Sequence, residues 1–181
     1  MKKVINLNIP HIGEKIFENI GTNDLIEWLK VSKTWKILIE NVLLKRWKGK
    51  LMEASRYGKF EIVKLLLERT DEQLNVRDID GRTALHWACR KGHKDVVQLL
   101  MNCQNKNIEL NTRNNNGRTA FMLACQNGHT DVVQLLLNSV QNIELNTRGN
   151  DGYTAFQLAC SKRHSDVVML LLANNNINVN K

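Results

Sequence analysis

The sequence predicts an all-α chain: a short helical unit at the N-terminus followed by a solenoid of stacked helix pairs. Three observations predict it. The stretch DGRTALHWACRKGHKDVVQLL at 80–100 returns as NGRTAFMLACQNGHTDVVQLL at 116–136 and as DGYTAFQLACSKRHSDVVMLL at 151–171. The glycines Gly81, Gly117 and Gly152 are thus 36 and then 35 residues apart, a fixed period that marks stacked repeat units. Each copy also carries an apolar helical face too wide for a surface helix, which one unit cannot bury alone. Residues 9–47 follow no repeat and read as three short amphipathic segments.

In chain order, Ile12, Ile16, Phe17 and Ile20 share a first helical face, and Gly21 with Asn23 marks a break. Asp24 opens a second segment carrying Leu25, Trp28 and Leu29. A third begins near Val31 and continues through Leu38 and Ile39. So small a unit cannot build a large core alone and must pack on the repeats, on a partner, or on both. Residues 48–78 form a degenerate first repeat: Leu51, Ala54 and Ser55 align with Leu85, Ala88 and Cys89, and Gly58 with Gly92. No Pro/Gly/Ser-rich linker separates it from the N-terminal unit, so a rigid junction is expected, with the N-terminal helices covering the end of the stack.

Within a repeat, Asp80-Gly81, Asn116-Gly117 and Asp151-Gly152 are turn dipeptides, where glycine accepts positive φ. Thr83, Thr119 and Thr154 suit helix N-caps, and Thr154 with Gln157 fits a capping box. Gly92 and Gly128 are placed to end the first helix in a left-handed conformation. Arg163 replaces that glycine in the fourth repeat, at an expected cost of about 1 kcal/mol. The second helix carries Val96, Val97, Leu99 and Leu100 and their counterparts. Val167 and Leu170, at the far end of the stack, are expected to be partly exposed.

The charge is +8, with +5 in residues 1–50 and +3 in residues 51–181, and no block of like charges. This favours acidic partners without specifying one. No concentrated basic patch or reading helix points to nucleic acid. No apolar run approaches the roughly 20 residues of a membrane span, and no secretory signal is read at the N-terminus. Cys89, Cys125 and Cys160 share one repeat position and read as small buried side chains. Stacked repeats hold them too far apart for disulfides, no C-x-x-C pair suggests zinc, and this usage fits a reducing compartment. No catalytic constellation, phosphate loop, metal site or cofactor motif shows relevant spacing, so no enzymatic activity is expected.

The pattern D/N-G-x-T-A, then A-C, G-H and D-V-V-x-L-L, resembles the ankyrin repeat over roughly residues 48–181. Residues 9–47 bring a second resemblance. Ile9-Pro10, Ile16-Phe17, Asp24-Leu25, Val31-Ser32-Lys33-x-Trp35 and Arg46-Trp47 are similar to the F-box. The spacing matches that family without a gap from Ile16 to Trp35; before Ile16 the segment is one residue short, and Gly13 replaces an aliphatic. Together they imply a short three-helix F-box over 1–48, fused to an ankyrin-repeat solenoid with short hairpin fingers over 49–181. The F-box resemblance implies binding to the adaptor Skp1 and, through it, a cullin and RING ubiquitin ligase. The residues carried over are Ile9, Pro10, Ile16, Phe17, Leu25 and Val31 as apolar contacts, with Trp35 as a core anchor. An N-terminal cap that only shields the first repeat is the alternative.

The ankyrin resemblance implies that a target protein is held by the fingertips and the inner helix face. The residues placed there include Arg77, Arg82, Arg113, Arg118, Arg148 and Tyr153 on the fingers. Arg56, Tyr57, His86, Arg90, Lys91, Gln126 and Lys162 lie on the inner face. Trp87 at a leucine position reads as core. Arginine recurring at 77, 113 and 148, and at 82 and 118, is either a basic stripe for an acidic target or a structural feature copied with the repeat. His93, His129 and His164 read as structural hydrogen-bonding groups. The expectation is a substrate receptor of a Skp1–cullin–F-box ligase, and the alternative a scaffold or inhibitor that sequesters its partner. Short chains of this kind resemble effectors that intracellular bacteria deliver into eukaryotic cells, and some viral host-range proteins. The expected location is the cytoplasm, that of the host for a secreted effector.

Overall fold

The computed structural model describes residues 20–31, 36–69, 74–103, 107–139 and 142–178. Among them the chain is all-helical, without strands. Helix α1 spans Thr22–Val31 and α2 spans Lys36–Trp47. Four helix pairs follow: α3 (Leu51–Arg56) with α4 (Phe60–Arg69), α5 (Ala84–Lys91) with α6 (Lys94–Met101), α7 (Ala120–Gln126) with α8 (Thr130–Leu137), and α9 (Ala155–Ser161) with α10 (Ser165–Leu172). Helices α3, α5, α7 and α9 stack as an inner row, and α4, α6, α8 and α10 as an outer row. Helix α2 packs on α4 and so extends the outer row by one helix, with α1 against it. Three residues separate α2 from α3, and one hydrophobic core runs unbroken from Leu25, Ile39 and Leu43 through Leu66, Leu100 and Leu136 to Leu171.

Local chemistry sets the helix boundaries. Thr83, Thr119 and Thr154 sit in extended backbone, and each hydroxyl accepts from the N–H three residues on. The Thr154–Gln157 capping box forms as expected. The second repeat has one too, with His86 in the role of the glutamine, a pairing the sequence reading passed over.

The glycine after the inner helix is needed for two reasons. Gly58, Gly92 and Gly128 adopt φ of 63°, 75° and 75°. A Cβ on them would also lie 2.5–2.6 Å from Nδ1 of His93, His129 and His164 respectively. Each of these histidines packs on the preceding repeat and donates Nε2–H to a carbonyl there: Arg56, Arg90 and Gln126, at 3.1, 2.9 and 3.0 Å. Arg163 holds the same left-handed conformation at φ 58°. No histidine among the described residues packs on it, so the close contact that bars a side chain from the other three sites is missing here.

A second inter-repeat device was not foreseen. Asn75, Asn111 and Asn146 each donate their amide to a carbonyl of the next repeat and accept a backbone N–H two residues beyond it. These bridges satisfy loop backbone that would otherwise lack partners. They explain the asparagine that recurs two residues before Arg77, Arg113 and Arg148.

Two burial expectations fail at the fourth repeat. Cys89 and Cys125 are buried, and desolvation pushes both thiols far up, but Cys160 is exposed, no further inner helix covering α9 among the described residues. Leu170 is partly exposed as expected, but Val167 is fully buried, since α8 and α9 enclose it; Met169 and Leu172 are exposed as well.

Candidate functional site

The inner helices and the turns that precede them form one face. Each finger is a tight turn: in the second repeat Gly81 N donates to Asp78 O and Asp78 N to Arg82 O, both at 2.9 Å. Neighbouring fingers are stitched by Asn115 N to Asp80 O at 2.9 Å and Asn150 N to Asn116 O at 3.0 Å.

The arginine row at 77, 113 and 148 is spent on this scaffold. Arg77 Nε donates to Gly81 O at 3.2 Å, and its Nη2 reaches Arg113 O in the next finger. Arg113 repeats the clamp on Gly117 O at 3.0 Å and Arg148 O at 2.7 Å. Arg148 binds Gly152 O. Of the two readings of this row, the structural one accounts for its register: a guanidinium can hold its own turn and the adjoining one at once.

The second row divides. Arg118 donates to Gln126 Oε1 at 2.5 Å and to Asp151 Oδ2 at 2.6 Å, which holds the Asp151 carboxyl below its usual range. Arg82 pairs with Asp80 at 2.5 Å. His86 is a correction to the target-binding set. It is 1% exposed, with Nδ1 accepting the Thr83 backbone N–H at 3.2 Å and Nε2 donating to Arg118 O at 3.1 Å. Burial lowers its pKa, so the ring is neutral and both nitrogens are engaged inside the fold. Gln126 is likewise committed to Arg118.

Trp87 is the centre of what remains. Its indole is 8% exposed, and Nε1 donates to Asp78 Oδ2 at 2.9 Å. Three guanidiniums lie against the ring: Arg56 at 4.5 Å, Arg82 at 4.9 Å and Arg90 at 5.4 Å from its centroid. Arg56 also stacks on Tyr57 at 5.6 Å, and Tyr57 is exposed. The sequence assigned Trp87 to the core. It is buried, with three guanidiniums lying against its ring. Lys91, Tyr153 and Lys162 are exposed, as the reading requires of contact residues.

At the N-terminal unit, Ile9, Pro10, Ile16, Phe17 and Trp35 lie outside the described residues. Val31 ends α1. Leu25 departs from its expected role as contact area: it is 0% exposed, inside the core shared with α2 and the repeats. The closing pair of the motif is structural. Arg46 Nη1 donates to Ile20 O at 2.9 Å and to Thr22 Oγ1 at 3.2 Å, and Trp47 Nε1 to Thr22 Oγ1 at 3.4 Å. They tie α2 to the start of α1.

Paired helices, capped fingers and a polar inner face define a helical-repeat protein whose groove serves protein–protein interaction. The ankyrin-repeat family model, in three copies, matches residues 18–114, 51–148 and 105–181, and the chain belongs to that family. Relatives match over short stretches. Acyl-CoA-binding domain-containing protein 6 of Danio rerio is 39% identical over 51 residues, 28% of this chain and 17% of that protein. The probable E3 ubiquitin-protein ligase XBOS33 of Oryza sativa subsp. japonica is 50% identical over 48 residues, 26% and 9% of the two chains. Scaffold protein ILK of Mus musculus is 44% identical over 46 residues, 25% and 10%. The matched stretches span less than a fifth of these relatives. Among the described residues, no helix is long and apolar enough to cross a membrane, and no cluster of His, Cys, Asp and Glu could hold a metal ion.

Proposed function

We propose that this protein is the target-recognition subunit of a Skp1–cullin–F-box ubiquitin ligase, acting in the cytoplasm and doing no chemistry itself. The N-terminal helices dock the adaptor Skp1, and the ankyrin groove holds an acidic target protein, raising the local concentration of its lysines near a charged ubiquitin carrier. The observation that carries the reading is the motif spacing from Ile16 to Trp35, in a unit fused without a linker to the repeats. A continuous core joins α2 to α4, and a receptor needs that stiffness to present its target at a fixed distance. The match to a protein named as a probable E3 ubiquitin-protein ligase agrees with it.

A second reading has its own support. The first copy of the family model begins at residue 18 and so takes in α1 and α2. Leu25 is buried within the chain, which suits a capping helix pair. On that reading the protein is an ankyrin scaffold that sequesters its partner. Co-purification with Skp1, followed by size-exclusion chromatography with light scattering, separates the two. A one-to-one complex lost in Ile16→Asp/Phe17→Asp supports the ligase subunit. A monomer that ignores Skp1, or a complex indifferent to that double substitution in a folded protein, discards it.

A further inference from the structure

We propose that the Arg56–Trp87–Arg90 cluster docks an acidic segment of a partner protein, its side-chain carboxylates received by two guanidiniums stacked on the indole. This rests on the reading of the inner face as the target-binding surface and gives the target its chemistry.

Arg56 and Arg90 occupy the same repeat position, one on α3 and one on α5. That position becomes Gln126 and Ser161 in the later repeats, so it is cationic in the first two repeats and neutral beyond. The third repeat offers a contrast: Arg118 donates Nη1 to Gln126 in its own repeat and Nη2 to Asp151 in the next, and only its buried Nε has no partner among the described residues. In the second repeat the matching Arg82 meets Arg90 where a glutamine would stand, with Trp87 between them, and its carboxylate partner is Asp80. Three cations therefore gather on one ring. Among the described residues, neither the Arg56 nor the Arg90 guanidinium makes an ion pair or a hydrogen bond. A carboxylate is the group that would offset this excess.

Stacking also prepares the geometry. A guanidinium lying on an aromatic face keeps its N–H edge free for a bidentate bond to a carboxylate, and the ring fixes it in advance. Asp78 on Nε1 locks the indole in turn. Tyr57, exposed beside Arg56, supplies apolar contact for the segment between its charges. Asp78 and Asp80 lie within the cluster and would repel an unbroken phosphate chain. Discrete carboxylates can avoid them, which favours an acidic peptide over nucleic acid.

The test uses the full chain and fluorescence anisotropy of a fluorescein-labelled peptide of alternating Glu and Ala, whose carboxylates recur about every 7 Å when extended. Arg56→Gln/Arg90→Gln should weaken binding about tenfold or more. Arg56→Lys/Arg90→Lys, which keeps the charge but loses the fork, should weaken it several-fold. Lys64→Gln/Lys94→Gln, an equal change of charge on the outer helices, should bind as the wild type does. Equal loss in the outer-helix variant would overturn the proposal, as would full binding by the lysine variant or by the wild type to a Gln–Ala peptide. Tighter binding of single-stranded oligouridylate through the same arginines would replace it with a nucleic-acid site. Skp1 co-elution, measured on the wild type, is independent: its absence with peptide binding present sinks the ligase reading alone, and Skp1 co-elution without peptide binding sinks this proposal alone.

Discussion

Ser55 occupies the position held by Cys89, Cys125 and Cys160 in the other repeats, and it is 0% exposed. Its hydroxyl is buried and has no hydrogen-bond partner among the described residues. A buried unsatisfied polar group costs about 1–3 kcal/mol, so replacing it by a residue with nothing to satisfy should stabilise the chain. Cysteine is the natural choice, because a free thiol behaves as a small hydrophobe and the stack already accepts it twice in buried form. Ser55→Cys should raise stability by about 1–2 kcal/mol, a Tm increase of roughly 2–8 °C for a chain of this size. The assay is urea unfolding followed by far-UV circular dichroism, read as a higher midpoint at unchanged slope. Ser55→Ala removes the hydroxyl without adding sulfur. If both variants unfold at lower urea than the wild type, the hydroxyl has a partner and the reasoning is refuted. If Ser55→Ala stabilises and Ser55→Cys does not, the site is too tight for sulfur and only the packing half of the argument falls.

Arg163→Gly should stabilise by about 1 kcal/mol by removing the left-handed strain; an unchanged urea midpoint would count against strain there. Gly92→Ala should be the reverse, and larger, because the methyl group meets His129 as well as the wrong φ; loss of cooperative unfolding or a midpoint drop in circular dichroism checks it. His86 is buried neutral, with its pKa lowered from the ordinary 6.5. Below about pH 6.5 the unfolded chain takes up a proton that the folded chain refuses, so stability should fall as pH drops from there toward the depressed folded value. His86→Gln, which mimics Gln157 in the fourth repeat, should flatten that slope while keeping the helix cap; an unchanged pH profile of the midpoint would remove His86 as its source. Arg113→Lys should cost about 1 kcal/mol of stability through the lost finger clamp, yet leave binding to the acidic peptide intact; a binding loss without a stability loss would return that arginine to the contact surface.

The repeat architecture was legible because its signals are local and redundant. A turn glycine, a threonine cap and an apolar face recur in register, and each copy checks the others. Even the departure at Arg163 was readable, since a missing glycine at a fixed position still has to adopt the conformation of the others. What stayed hidden depends on neighbours in the stack. Cys160 repeats Cys89 and Cys125 in sequence but has no following helix to bury it. The row Arg77, Arg113 and Arg148 looked equally suited to a ligand or to the scaffold, because repetition in sequence does not distinguish them. His86 was read as an inner-face contact because its spacing to Thr83 was compared with the glutamine box only in the fourth repeat. At the N-terminal unit the motif gives residue spacing, and spacing alone could not foresee that Leu25 points inward.

The distribution of satisfied and unsatisfied polar groups is what separates scaffold from site in this fold. Arg77, Arg113 and Arg118 each end on acceptors from their own and the following repeat, the asparagines bridge to the following repeat and the histidines to the preceding one. A repeat protein needs such links at every joint, since each unit rests only on its neighbours. The first two repeats keep this rule in their fingers and break it on their inner helices, where Arg56 and Arg90 are drawn to an indole in place of a carboxylate. Tryptophan stands at a position held by Glu53 in the first repeat and by Leu123 and Leu158 in the later ones. A leucine would fill that volume and hold no guanidinium. The one substitution that turns a packing position into a platform for cations is therefore also the point at which the groove stops being symmetrical along its length, and a target should be read from there.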